Sequence, residues 1–99
     1  MFESKFHAIF LRVIAIYFLS RGEFTYAEGG IYRGRWENDM RHGAGIFEYP
    51  DGSVYDGNWH NNFRQGKGNM SYSDGSQYVG QWQNDQKHGQ GIQIKFLDK

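Results

Sequence analysis

Tyr55-Asp56-Gly57-Asn58-Trp59-His60-Asn61-Asn62-Phe63-Arg64-Gln65-Gly66-Lys67-Gly68-Asn69-Met70-Ser71-Tyr72-Ser73-Asp74-Gly75-Ser76-Gln77 is a unit that the chain repeats on both sides of itself. A shift of 23 positions brings Tyr32, Tyr55 and Tyr78 into one column, and then Gly34, Gly57 and Gly80. Trp36, Trp59 and Trp82 follow, then Asn38, Asn61 and Asn84. Two further glycine columns close the unit: Gly43, Gly66 and Gly89, and Gly45, Gly68 and Gly91. Upstream, Gly22, Phe24, Tyr26 and Gly29 stand 23 residues before Gly45, Phe47, Tyr49 and Gly52. The period fails before Ser20 and decays after Ile92. The chain therefore divides into an apolar head at 1–21 and a repeat array at 22–99. The array comprises a half unit at 22–31, units at 32–54, 55–77 and 78–94, and a C-terminal end at 95–99.

Alternation inside the unit decides the secondary structure. Tyr-x-Gly-x-Trp puts Tyr32, Gly34 and Trp36 on one face of a strand, and Gly43, Gly45, Phe47 and Tyr49 share a face of the next. The polar stretch Asn38-Asp39-Met40-Arg41-His42 reads as the turn between these two strands. Asp51-Gly52-Ser53 and Asp74-Gly75-Ser76 read as turns between units, because Asp-Gly suits two-residue hairpin loops that need positive φ. Short connections make consecutive strands antiparallel. The expectation is an all-β, elongated single-layer antiparallel meander of tandem β-hairpin repeats. Glycine weakens a strand unless something bulky approaches, so each glycine is expected to receive a neighbouring ring. A single-layer sheet of this length also wants cover on its aromatic face or its ends.

Composition narrows the function classes. Eleven basic and eleven acidic residues balance, so no electrostatic footprint for nucleic acid is expected. The absence of cysteine excludes disulfides and thiolate metal sites. Fourteen glycines together with seven tyrosines, eight phenylalanines and three tryptophans argue for an ordered, turn-rich chain rather than a disordered one.

The repeated unit resembles the MORN repeat (membrane occupation and recognition nexus). Tyr55-Asp56-Gly57-Asn58-Trp59 through Tyr72-Ser73-Asp74-Gly75-Ser76 carries the family pattern, as do His42-Gly43-Ala44-Gly45 and His88-Gly89-Gln90-Gly91. The departures are in the turn, where the family's frequent glycine is Asp39, Asn62 and Asp85, and at Gln65, which replaces the usual histidine. The resemblance implies a twisted single-layer sheet with a groove along one face. It also implies scaffolding, protein binding through that groove, and an association with membranes and phospholipids. MORN arrays also occur as accessory regions of lipid kinases and methyltransferases.

From Phe6 to Leu19, twelve of fourteen residues are apolar, interrupted by His7 and Arg12. This is short of the about 20 residues a membrane-spanning helix needs. As a signal peptide it has Glu3 in its basic region and a poor cleavage site at Phe18-Leu19-Ser20. Phe6, Ile9, Phe10, Val13, Ile14 and Tyr17 would form one apolar stripe of a helix. The expectation is a short segment, helical by its spacing, that packs on or caps the sheet; the alternative is an interfacial membrane anchor.

The pattern offers no catalytic residue. The Gly-x-Gly pairs recur inside strands rather than at a strand-to-helix turn, so nucleotide binding is not expected. His42, His60 and His88 lack metal-ligand spacing and read as structural histidines donating to turn carbonyls. Asp51 and Asp74 are explained by turn chemistry. No metal and no cofactor are expected. The leading reading is a non-enzymatic interaction scaffold that takes a helix or extended segment of a protein partner. Its groove would be lined by Tyr32, Trp36, Tyr49, Tyr55, Trp59, Tyr72, Tyr78 and Trp82, with Trp59 the residue whose loss weakens capture. Arg41, Arg64 and Lys87 recur at one position and are expected to line an edge. There they would serve solubility or contact phospholipid head groups or an acidic partner. The alternatives are a peripheral membrane adaptor using the head and the basic edge at an anionic surface, and an accessory fragment of a larger enzyme. Exposed end strands favour self-association. A cytoplasmic location, at the membrane or the cytoskeleton, goes with these readings.

Overall fold

The computed structural model describes residues 21–95, and the head lies outside them but for Arg21. Seven strands follow one another in chain order: β1 (Arg21–Thr25), β2 (Ile31–Glu37), β3 (Met40–Glu48), β4 (Val54–His60), β5 (Phe63–Ser71), β6 (Gln77–Gln83) and β7 (Gln86–Ile94). Each pairs antiparallel with the next, giving one seven-stranded open sheet in the order β1 to β7. The described residues thus form the expected all-β meander of hairpins. The expectation of a helix packed on or capping it concerns residues outside the description.

The two kinds of turn exchange roles relative to the sequence reading. The hairpin within a unit closes on two residues, since Glu37 pairs with Met40 across Asn38-Asp39. Both residues have positive φ, 53° and 64°, and so do Asn61-Asn62 and Asn84-Asp85. Asparagine and aspartate tolerate this left-handed region better than other side chains do, so these are the primed turns that match strand twist. Met40, Arg41 and His42 already belong to β3 rather than to the turn. Between units, by contrast, the loop runs over Tyr49–Ser53. The Gly52 N–H donates to the Tyr49 carbonyl and the Tyr49 N–H to the Ser53 carbonyl. Pro50 and Asp51 are the central residues, and Gly52 follows at φ 96°. Asp51 is therefore not the left-handed residue of a two-residue loop. Its carboxylate instead accepts the Ser53 N–H at 2.8 Å, as Asp74 accepts that of Ser76 at 2.9 Å.

Each hairpin is asymmetric. Gly34 pairs with Gly45 while Trp36 pairs with Arg41, so the second strand carries two extra residues in a bulge, and Gly43 takes φ 88° there. The same bulge recurs opposite Gly57/Trp59 and Gly80/Trp82. Beyond it Arg41, Arg64 and Lys87 pair with Trp36, Trp59 and Trp82, which puts the cation of each unit on the aromatic face, one step from the turn.

The core is one face of the sheet. Tyr32 and Tyr55 are wholly buried, and Trp36, Phe47, Trp59, Met70, Tyr78 and Trp82 nearly so. A methyl group on Gly45, Gly68 or Gly91 would fall on the ring of Tyr32, Tyr55 or Tyr78 respectively. The ring-on-glycine packing expected from the sequence is present in every unit.

Candidate functional site

The aromatic face is built from one tyrosine and one tryptophan per unit. Tyr32 lies over Gly45 and donates its hydroxyl to the Arg35 carbonyl at 2.8 Å; Tyr55 and Tyr78 do the same to Asn58 and Gln81. Trp59 donates its indole N–H to the Gly45 carbonyl at 3.3 Å, the glycine that Tyr32 covers. Trp36 and Trp82 reach Gly22 and Gly68 in the same way. The rings then alternate edge to face, Trp36–Tyr32–Trp59–Tyr55–Trp82–Tyr78, with centroids 5.1–5.5 Å apart. Burial pushes the phenols of Tyr32 and Tyr55 well above their usual range, since an ionised oxygen would lose its hydration there.

Six of the eight tyrosines and tryptophans read as a groove lining are thus core residues. The other two, Tyr49 and Tyr72, are half-buried, and Tyr26 occupies their position in the half unit. Tyr26 stacks on Phe47 at 5.5 Å and Tyr49 on its other side at 4.5 Å. With Phe24, these three tyrosines are the half-buried rings of the aromatic face. Tyr49, Pro50, Arg64, Met70 and Tyr72 border an open depression of about 410 Å³.

Arg41, Arg64 and Lys87 lie over rings on this same face, and the sequence expectation of an outer edge is corrected accordingly. The Arg41 guanidinium sits 4.8 Å from the Trp59 ring centroid and 5.2 Å from that of Phe47. Arg64 sits 4.7 Å from Trp82, and Lys87 lies 5.0 Å from Tyr78. Both arginines also hold the turn of the following unit. The Arg41 N–H donates to Asn62 Oδ1 at 2.9 Å, its Nη2 to the Asn62 carbonyl at 3.0 Å, and the Asn62 N–H donates back to the Arg41 carbonyl. Arg64 repeats this on Asp85, whose Oδ1 receives both the backbone N–H at 2.8 Å and Nε at 3.0 Å. Asn62 and Asp85, two of the three residues that replace the family's frequent turn glycine, are therefore the acceptors of a staple between units. Sequence reading missed it, although its signal is a cation and a side-chain acceptor 21 residues apart, twice.

The histidine column acts in the same junction. His42 accepts the Asn61 N–H on Nδ1, a long 3.4 Å contact, while its Nε2 meets Glu37 at 3.2 Å. It is an acceptor toward the turn rather than the expected donor to a carbonyl. Gln65 substitutes for histidine because its Oε1 accepts the Asn84 N–H at 3.1 Å. Among the described residues no cluster of histidine, aspartate and glutamate has metal-holding geometry.

None of the curated proteins compared with the chain matches it. The MORN repeat family model matches three times, at residues 32–54, 55–77 and 78–94. That family is a non-catalytic repeat type generally associated with protein or membrane interaction. Matched over more than half its length, with the ring-on-glycine hairpins to go with it, the chain belongs to the MORN repeat family.

Proposed function

We propose that the protein is a non-enzymatic interaction scaffold whose aromatic face binds an extended segment of a protein partner. The supporting observation is the open depression between Tyr49 and Tyr72, with the tyrosine column and the cations on one face of the sheet. Half-exposed aromatics beside arginine are the surface type on which binding energy concentrates. The alternative is a peripheral membrane adaptor that adds the apolar head, which but for Arg21 lies outside the described residues, to these cations.

The test is selection of displayed peptides on the full chain, followed by mapping. Tyr49→Ser and Tyr72→Ser should weaken the selected peptides at least about tenfold, as loss of a buried interface aromatic does. Val79→Ser, on the opposite face beside a second depression of about 350 Å³, should leave them unchanged. Peptides that depend on Val79 and not on the tyrosines would place the binding surface on the other face. Trp59→Ala is no test of contact. It empties a core position and should instead destabilise the fold by about 3–5 kcal/mol.

A further inference from the structure

The three cations of the aromatic face are equivalent in position and unequal in charge environment. Arg64 is neutralised internally, with Asp85 Oδ1 at 3.0 Å from its Nε. Arg41 meets the amide of Asn62 where Arg64 meets a carboxylate. Its Nη1 donates to the Tyr26 hydroxyl at 3.2 Å, its Nε is buried with no partner, and it makes no ion pair among the described residues. Lys87 donates to the neutral Gln93 Oε1 at 2.9 Å and lies over Tyr72 and Tyr78. Along the array the face therefore reads positive, neutral, positive. The depression bordered by Tyr49, Met70 and Tyr72 sits at the neutral position, beside Arg64, with the Asp51 carboxylate on its rim.

Resting on the groove reading above, we propose that the occupant is an acidic peptide segment with one bulky apolar side chain between two carboxylates. The apolar side chain enters the depression between Tyr49 and Tyr72, where Asp51 and Asp85 disfavour a third carboxylate. The flanking carboxylates pair with Arg41 and Lys87. Two units separate these cations, which is four strand spacings, or about 19 Å at roughly 4.8 Å each. An extended segment rises about 3.3 Å per residue, so about six residues separate its carboxylates, with the apolar residue midway.

Two substitutions separate charge from folding, because each installs a residue the array already uses at the equivalent position. Asn62→Asp gives Arg41 the partner that Arg64 has, and Asp85→Asn gives Arg64 the partner that Arg41 has. The probe is a nine-residue random peptide library panned on the full chain, then a synthetic peptide with glutamate at positions 1 and 7 and phenylalanine at 4. Enrichment of that pattern is expected, with binding weakened at least about tenfold when both glutamates become lysine. Asn62→Asp should weaken the glutamate peptide by about threefold to tenfold while the fold is retained, and Asp85→Asn should not weaken it. Apolar peptides without acidic preference that still need Tyr49 and Tyr72 overturn this inference and leave the groove standing. Acidic preference unaffected by Asn62→Asp also overturns it. No enrichment, or binding indifferent to both tyrosines, overturns both readings. Retention on phosphatidylserine vesicles that falls with Asn62→Asp, without peptide binding, assigns the face to lipid instead.

Discussion

Gly68 has no room for a methyl group, because the Tyr55 ring rests on its backbone. Gly68→Ala must push that ring out of a wholly buried position, so it should cost about 3 kcal/mol or more, at the upper end of core overpacking. Gly52→Ala meets only the Ser73 Cβ at 3.8 Å, an ordinary contact, and the strain of φ 96°. It should cost about 1–2 kcal/mol, and urea denaturation of the two variants measures the gap. The same buried phenols set an alkaline limit. Tyr32 and Tyr55 have their folded pKa raised above the ordinary 10.0, chiefly by desolvation. The unfolded chain therefore loses these protons first. Their contribution is intact below pH 10 and is lost as pH rises from there through the folded values. The slope is about 1.4 kcal/mol per pH unit for each phenol. Phenolate absorbance should accordingly rise together with loss of circular dichroism. Ionisation of all seven tyrosines well before unfolding would show that the rings are not held as described.

At the scale of the hairpin, the turn residue has two tasks that conflict. Glycine suits the left-handed conformation at position 62 or 85 better, yet only a side-chain oxygen can receive the backbone N–H of the arginine one unit earlier. Asp85→Gly loses a carboxylate that takes two donors, one of them charged, whereas Asn62→Gly loses a neutral acceptor of one. Asp85→Gly should therefore be the more destabilising by about 1 kcal/mol, read from thermal unfolding. The strands themselves were legible in the sequence, since Tyr-x-Gly-x-Trp states both period and face. The turns were half legible. Asp51-Gly52 looked like a two-residue loop, but the loop is longer, with Pro50 and Asp51 at its centre and the glycine one place beyond the bend, as Ser73 and Asp74 stand before Gly75. The candidate site was legible as a face and not as a depth. Periodicity puts Tyr55 and Tyr49 on the same side. Only the stacking of Trp82 from the next unit, with Arg64 of its own unit, decides that Tyr55 is sealed, while Tyr49 stays half-buried.

For the whole molecule, each unit meets only its neighbours, so stability should grow with every junction added. Inserting a second copy of residues 55–77 after Gln77 supplies one more ring-on-glycine contact, one more indole hydrogen bond and one more arginine staple. The lengthened chain should melt several degrees higher, and its sheet should extend by about 10 Å in small-angle scattering. An unchanged melting temperature would contradict a stability summed over junctions. The uninterrupted column of six rings has an optical consequence as well. Every tyrosine in it stands within 5.1–5.5 Å of a tryptophan, nearly perpendicular to it. Light absorbed by Tyr32, Tyr55 or Tyr78 is passed to an indole before it can be emitted. The folded chain should therefore fluoresce almost wholly as tryptophan, and tyrosine emission returning on unfolding reports the breaking of the column itself.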